Sequence, residues 1–238
     1  MITKLLRNFH AYGKSALLDA LYPPICVTCL TRLEPNEESI CLSCLLDLPY
    51  TESHLTPLLA LDQKFLGRMP VESIYTWVRF AKKTKIQTLL HALKYHQKPD
   101  LVRTIGQHYG YLLRSKENWP AYDCIIPIPM HPRKKALRGY NQAEEFALGL
   151  AESLYVPVET QVLLKQRQTK SQTAFSRQSR FQNLQGSFVL TNNYDFKAKK
   201  VFLVDDVLTT GATLEEAGTL LYKAGVSEIS IITIATAF

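Results

Sequence analysis

A short segment near the carboxyl end of the chain carries the residue types that bind phosphate. Residues 201–204 are apolar and predict a buried strand, and Asp205 and Asp206 follow at its carboxyl end, where open α/β sheets bind their ligands. The next residues are Thr209, Thr210, Gly211, Ala212 and Thr213. Consecutive backbone N–H groups, threonine hydroxyls and a glycine that permits tight curvature are suited to cradling an anion. The segment therefore predicts a phosphate-binding loop beside a pair of carboxylates.

The residues around this loop fit the same chemistry. Thr213 stands three residues before Glu216, a spacing that predicts a capping box and a helix whose positive N-terminal end faces the anion. The loop N–H groups are then expected to bind a 5-phosphate. Asp205 and Asp206 are expected to accept hydrogen bonds from ribose hydroxyls or to hold the water shell of Mg²⁺. No GxxxxGK[ST] motif occurs in the sequence, so a P-loop motor or kinase is not supported.

A basic stretch upstream predicts a contact with an anionic group. Residues 131–142 contain Arg133, Lys134, Lys135 and Arg138 within six positions. Runs of charge are often only a solvated face. The alternative is a clamp for pyrophosphate or for a nucleic-acid backbone, and the prolines that fix this loop favour the clamp.

A second basic stretch, residues 165–183, is long, polar and rich in glutamine. Its Arg177 and Arg180 are flanked by Phe175 and Phe181, an interleaving typical of proteins that stack the bases of single-stranded nucleic acid and neutralise its phosphates. A mobile lid over the phosphate site is the alternative interpretation. The chain holds 28 Lys and Arg against 21 Asp and Glu, a net charge of +7 that favours polyanionic partners.

Four of the five cysteines form a pattern typical of a metal site. Cys26, Cys29, Cys41 and Cys44 make two CxxC pairs separated by eleven residues, and Cys124 stands alone on an apolar stretch. Tetrahedral Zn²⁺ is bound by four thiolates of this kind, and four filled positions leave none for a catalytic water. The pattern predicts structural zinc, with adventitious metal or an iron–sulfur cluster as the alternatives.

The spacing of apolar residues divides the chain into three parts. Residues 1–22 predict an amphipathic basic helix, ended by Pro23-Pro24, that packs on the body of the protein or binds a membrane surface or a partner. Residues 23–60 contain the zinc module. A loop-rich stretch over 50–70 holds the expected boundary with a larger domain over 71–238.

The pattern of the larger domain predicts an α/β fold. Short apolar strands alternate with amphipathic helices after Pro120 and predict a parallel sheet covered on both faces. The expected strands include residues 124–129, 158–164, 186–190, 200–206 and 228–235. A chain of 238 residues with 46% apolar and 21% charged residues can build an ordinary core. Charged residues interrupt the N-terminal apolar run, so we expect a cytoplasmic protein without a membrane span.

The order of these motifs resembles the ComF family of competence proteins, over residues 22–238. The shared motifs are YPxxCxxC from Tyr22, the second CxxC, Leu93-Lys94-Tyr95, PxP before Arg138–Ala143, and LVDDVLTTGAT over 203–213. The last of these also resembles the phosphoribosyl pyrophosphate loop of type I phosphoribosyltransferases. The sequence departs from the family pattern conservatively, with IPIP where VPVP is common and Tyr140 where Phe is common.

This resemblance implies a zinc-bearing module on a type I phosphoribosyltransferase-like domain and a role in natural transformation, where imported single-stranded DNA is handled in the cytoplasm. It implies phosphoribosyl pyrophosphate with Mg²⁺ at Asp205, Asp206 and the threonine loop, with the two carboxylates as candidate catalytic groups. It also suggests a transformation helicase or recombination-loading protein as a partner. A nucleotide-salvage phosphoribosyltransferase is the alternative, although a base-binding hood is not recognisable in the sequence.

Overall fold

The computed structural model describes residues 23–95, 97–117, 119–165, 186–191 and 194–237. The helix predicted over 1–22 and the arginines Arg177 and Arg180 lie outside these residues. In chain order the elements are α1 (Leu42–Leu46), α2 (Leu59–Asp62), β1 (Ile74–Arg79), α3 (Lys85–Tyr95), α4 (Pro99–Arg114), β2 (Cys124–Pro127), α5 (Pro132–Arg138), α6 (Gln142–Leu154), β3 (Leu163–Lys165), β4 (Phe188–Leu190), β5 (Lys200–Leu208), α7 (Ala212–Lys223) and β6 (Glu228–Thr236).

The main sheet has four parallel strands in the order β1-β6-β5-β2, which confirms the predicted α/β architecture. The central strands β5 and β6 are apolar along most of their length because both of their faces are covered. Val204 of β5 lies between Pro127 of β2 and Ile232 of β6. Among the described residues, no helix is both long and apolar enough to cross a bilayer.

Alternating side chains of β5 supply two separate hydrophobic clusters. Phe202 and Val204 pack with residues of α3, α4 and α6 on one face of the sheet. Val201 and Leu203 pack with residues of α7 on the other face. The period of two along a strand therefore places consecutive residues of β5 in different cores.

Two of the predicted strands do not join the main sheet as expected. Residues 163–165 and 188–190 form a separate antiparallel pair, β3 and β4. Within the described parts of this region, a single isolated parallel bridge between Val158 and Ile125 connects its start to β2. The short apolar runs were sufficient to predict strands, but their partner is set by packing against α7 and the second cluster, which a local pattern does not contain.

The loop-rich stretch over 50–70 is packed against the large domain. Tyr50 pairs with Val78 along the free edge of β1, and Leu61, Phe65 and Met69 are buried in the cluster beneath α7. The placement of the domain boundary within this stretch stays a prediction, but the stretch itself contributes core side chains.

Helices α4 and α6 approach closely through glycines. A Cβ atom built on Gly149 of α6 would overlap the backbone carbonyl of Arg103 in α4, and one on Gly106 would overlap the carbonyl of Phe146. A Cβ on Gly218 of α7 would instead meet the thioether of Met69, the end of a flexible side chain.

We expect Gly149→Ala to lower the free energy of unfolding by about 3 kcal/mol, because two backbones must separate to admit one methyl group. The matched control is Gly218→Ala, where Met69 can move and the helix gains about 1 kcal/mol of intrinsic propensity. Urea denaturation of the two variants measures both values. Equal stability of the two variants would contradict the close helix packing.

Candidate functional site

The two carboxylates lie inside β5, near its carboxyl end. The strand continues to Leu208, whereas β2 ends at Pro127 opposite Val204. Asp205 is therefore the first residue of β5 beyond the end of β2. Because side chains alternate along a strand, the carboxyl groups of Asp205 and Asp206 lie on opposite faces of this edge.

Asp206 forms an ion pair with Lys94, the central residue of the Leu93-Lys94-Tyr95 motif. The Nζ atom of Lys94 lies 3.1 Å from Oδ2 of Asp206, and both side chains are partly shielded from solvent. Lys94 stands in the last turn of α3, where a cation is favoured by the helix dipole. Its position in that turn was visible in the sequence, but its partner was not.

The residues after Arg138 hold this end of α3 in place. Tyr140 Oη and Gln142 Nε2 both donate hydrogen bonds to the carbonyl of Leu93, the residue before Lys94. Asn141 Nδ2 donates to the carbonyl of Ile128 at 3.0 Å, and its Oδ1 accepts from Ala143 N to cap α6. The segment thereby ties α3, the end of β2 and the start of α6 together.

Asp205 has an unusual electrostatic environment. Desolvation of its carboxyl group, with a smaller contribution from the charge of Asp206, raises the pKa of Asp205 to about 7. The backbone N–H of Asp206 donates a hydrogen bond to Oδ1 of Asp205 at 2.8 Å and partly opposes this rise in the pKa. Lys165 of β3 interacts electrostatically with Asp205 and has its own pKa lowered by desolvation. The Lys165 Nζ lies 4.9 Å from the ring centre of Phe188.

The predicted phosphate loop connects β5 to α7, but the helix begins differently from the prediction. Gly211 is the N-cap of α7 with φ of 77°, a left-handed conformation that favours glycine, and no side chain caps the helix. Thr213 thus lies within the helix, and the predicted capping box is wrong. Glu216 instead accepts a hydrogen bond from Ser187 N at 2.8 Å. The N-terminal end of α7 still adjoins the loop, as an anion site requires.

The predicted basic clamp folds as α5, and its four cations have different surroundings. Arg133 is exposed, and Lys135 is paired with Glu144 at 2.8 Å. Arg138 donates to Gln142 and lies over the ring of Tyr95 at 5.5 Å. Desolvation, and then the charge of Arg138, lowers the pKa of Lys134. Lys134 interacts electrostatically with Lys165, whereas the charge of Lys135 is engaged by Glu144.

The Sγ atoms of Cys26, Cys29, Cys41 and Cys44 all lie within 4.8 Å of one another. Cys29 and Cys41 are 3.7 Å apart at sulfur, close to the separation of about 3.8 Å that tetrahedral zinc with Zn–S bonds of about 2.3 Å imposes. The N–H groups of Thr28 and Cys41 both point at Sγ of Cys26 at 3.4 Å. Thiolate charge is stabilised by such donors, so the donor set fits a zinc ion.

The carboxyl-terminal part of the chain matches a described protein family. Residues 141–237 match the model of the phosphoribosyl transferase domain. This range contains α6, the central strands β5 and β6, both carboxylates and the threonine loop. The chain therefore carries a phosphoribosyltransferase domain, as its phosphate loop predicted.

Three curated relatives show how far the similarity extends. "Competence protein F" of Haemophilus influenzae is 38% identical over 110 residues, which cover 46% of this chain and 48% of that protein. "DNA utilization protein YhgH" of Escherichia coli O157:H7 is 26% identical over 210 residues, 87% of this chain and 88% of the relative. "Competence protein ComFC" of Streptococcus pneumoniae is 29% identical over 120 residues and half of each chain. With its cysteine cluster and its phosphoribosyltransferase domain, the chain is similar to these competence and DNA-utilization proteins.

Proposed function

We propose that this protein acts in the cytoplasm during natural transformation, where it handles imported single-stranded DNA and binds phosphoribosyl pyrophosphate in the pocket at the carboxyl edge of its sheet. The observation that carries this proposal is the juxtaposition of the threonine loop at the start of α7 with Asp205 and Asp206. The names of the relatives, which refer to competence and DNA utilization, support the biological setting.

Each charged group of phosphoribosyl pyrophosphate has a suitable partner among the residues around the proposed pocket. The loop N–H groups and the N-terminal end of α7 are suited to the 5-phosphate. Asp205 and Asp206 are suited to the ribose hydroxyls and would hold Mg²⁺ through its water shell. When bound, Mg²⁺ would neutralise charge on the pyrophosphate. The cations that would meet the pyrophosphate end of the ligand are Lys94, which pairs with Asp206, and Lys134, which interacts with Lys165; exposed Arg133 lies on the same helix as Lys134.

A second candidate is a nucleotide-salvage phosphoribosyltransferase. The pKa of Asp205 near 7 favours it, because a carboxylate with that pKa can accept a proton from an attacking nitrogen at neutral pH. Positive charge at the Arg133 segment would stabilise the departing pyrophosphate. This enzyme must release pyrophosphate only when the correct base is added, so a broad panel of bases that yields no pyrophosphate would remove its support.

We expect the affinity for magnesium phosphoribosyl pyrophosphate to rise between pH 6 and pH 8. The raised pKa of Asp205 keeps its carboxyl protonated below about pH 7, and only the ionised form binds the magnesium shell. Calorimetric titration across this range measures the effect. Asp205→Asn should bind about tenfold more weakly at pH 8, which is about 1.4 kcal/mol, and show a flatter pH profile.

The flatter profile distinguishes Asp205 from the phosphates of the ligand, which titrate in every variant. Asp62→Asn, an exposed carboxylate on α2, is the matched control and should keep the wild-type profile. The double variant Asp205→Asn with Asp206→Asn should also lower transformation frequency at normal protein abundance and normal DNA import. Wild-type transformation frequency in that double variant would separate the pocket from DNA handling.

We expect one zinc ion per chain, lost in Cys26→Ser but retained in Cys124→Ser. Cys26 has its sulfur in the four-cysteine cluster, whereas Cys124 is a buried residue of β2. Metal analysis of the purified proteins checks both results. Loss of ligand binding along with the metal would mean that zinc holds the fold. If Cys26→Ser still binds the ligand but no longer binds a helicase or recombination-loading partner, the zinc module would instead serve to dock that partner.

We expect binding of a mixed-sequence single-stranded oligonucleotide to weaken steeply with salt. Phosphate contacts release counterions with a slope of roughly −0.7 per contact on single strands. The double variant Arg133→Gln with Lys134→Gln should therefore reduce the magnitude of the slope by about 1.4, with little dependence on base sequence. Arg138→Gln should add to the loss.

The control for this series is Lys223→Gln, an exposed lysine in the last turn of α7. Fluorescence anisotropy across salt concentrations gives the slopes. Binding that is insensitive to salt, or a Lys223→Gln variant as weak as the double variant, would overturn the assignment of α5 to the DNA surface.

A further inference from the structure

The segment that follows α2 lies directly behind the phosphate loop. Lys64 Nζ donates hydrogen bonds to the carbonyl of Thr209 at 2.7 Å and to that of Ala237 at 2.9 Å. Arg68 Nη1 donates to the carbonyl of Thr210 at 3.0 Å. Two cations of the loop-rich stretch over 50–70 therefore hold two consecutive carbonyl groups of the loop.

These contacts fix the direction of the loop N–H groups. In a planar trans peptide the C=O and the following N–H point in opposite directions. Because the carbonyls of Thr209 and Thr210 point towards Lys64 and Arg68, the N–H groups of Thr210 and Gly211 point away from that segment. Neither N–H donates to another group among the described residues, so both are directed at the open side of the loop.

Packing and charge support the same arrangement. The ring of Phe65 lies under Gly211, where a Cβ atom would come within 2.8 Å of Phe65 Cζ, so the left-handed turn rests on a buried aromatic side chain. Arg68 also pairs with Glu215 in the first turn of α7, where both side chains are largely shielded from solvent. Charge-assisted bonds of this kind are stronger than neutral ones, and the loop is therefore held from behind by two cations.

We propose that Lys64 and Arg68 are positioning residues that pre-organise the loop for the phosphate of a sugar phosphate. This inference rests on the proposed phosphoribosyl pocket. Neither residue reaches the ligand side of the loop; each acts through a backbone carbonyl. Pre-organised N–H donors bind an anion without the cost of ordering the loop, so removal of either cation should weaken phosphate binding at the loop and leave pyrophosphate binding at the other end of the pocket unchanged.

The test is calorimetric titration of the full chain with two separate probes, ribose 5-phosphate and magnesium pyrophosphate. Lys64→Met should bind ribose 5-phosphate about tenfold more weakly and magnesium pyrophosphate as the wild type does, and Lys64→Arg should restore most of the loss. Arg68→Met combined with Glu215→Gln removes the second contact without leaving a shielded carboxylate unpaired, and should act in the same way. Lys223→Met, at the far end of α7, is the control.

The outcomes separate this inference from the proposed function. Two outcomes would show that these cations only attach the segment to the domain. The first is that Lys64→Met binds ribose 5-phosphate with wild-type affinity. The second is that it loses affinity equally for both probes and has a lowered melting temperature. A wild-type protein that binds magnesium pyrophosphate but not ribose 5-phosphate would overturn the inference alone. A wild-type protein that binds neither probe would overturn both the inference and the proposed pocket.

Discussion

Adjacent carboxylates at the end of a buried strand require positive charge around them, and the carboxyl edge of this sheet is organised by that requirement. Desolvation and mutual repulsion favour the neutral form of Asp205, and attraction to a nearby cation opposes both effects. Lys94 pairs with Asp206 on one face of the sheet, and Lys165 interacts with Asp205 on the other. A single strand therefore collects cations from α3 and from β3, elements far apart in the sequence.

The motif around Tyr140 supports the ion pair between Lys94 and Asp206 by fixing the helix that carries Lys94. Tyr140, Asn141 and Gln142 are buried and bond to backbone carbonyls of α3 and of the residue that follows β2. A lysine with a long flexible side chain pairs well only if its helix is fixed, since ordering the side chain costs conformational entropy. The fixed carbonyl of Leu93 thus determines where Lys94 meets Asp206.

The local pattern of the sequence was sufficient to predict β5, its carboxylates, the loop and the cysteine cluster, because each is built from neighbours in the chain. It was insufficient for Lys94, Lys165 and the Lys64–Arg68 segment, whose partners lie 112, 40 and about 145 positions away. The capping box failed for a local reason: Gly211 adopts the left-handed conformation and starts α7 early, so Glu216 falls past the position from which it would cap. Its carboxylate is used by Ser187 instead.

One stretch of chain leads from the cysteine cluster to the back of the phosphate loop and packs against the large domain along its way. Lys85 pairs with Asp47 just after α1, and Thr51 N donates to the carbonyl of Trp77, so the chain leaving the cluster covers the free edge of β1. An uncovered edge strand invites pairing with other chains, and this cover removes that hazard. The same chain then runs on through buried Leu61 and Phe65 to the back of the loop. Since the cluster has few apolar residues of its own, the metal that we propose there would order the first part of a segment whose last part supports the loop.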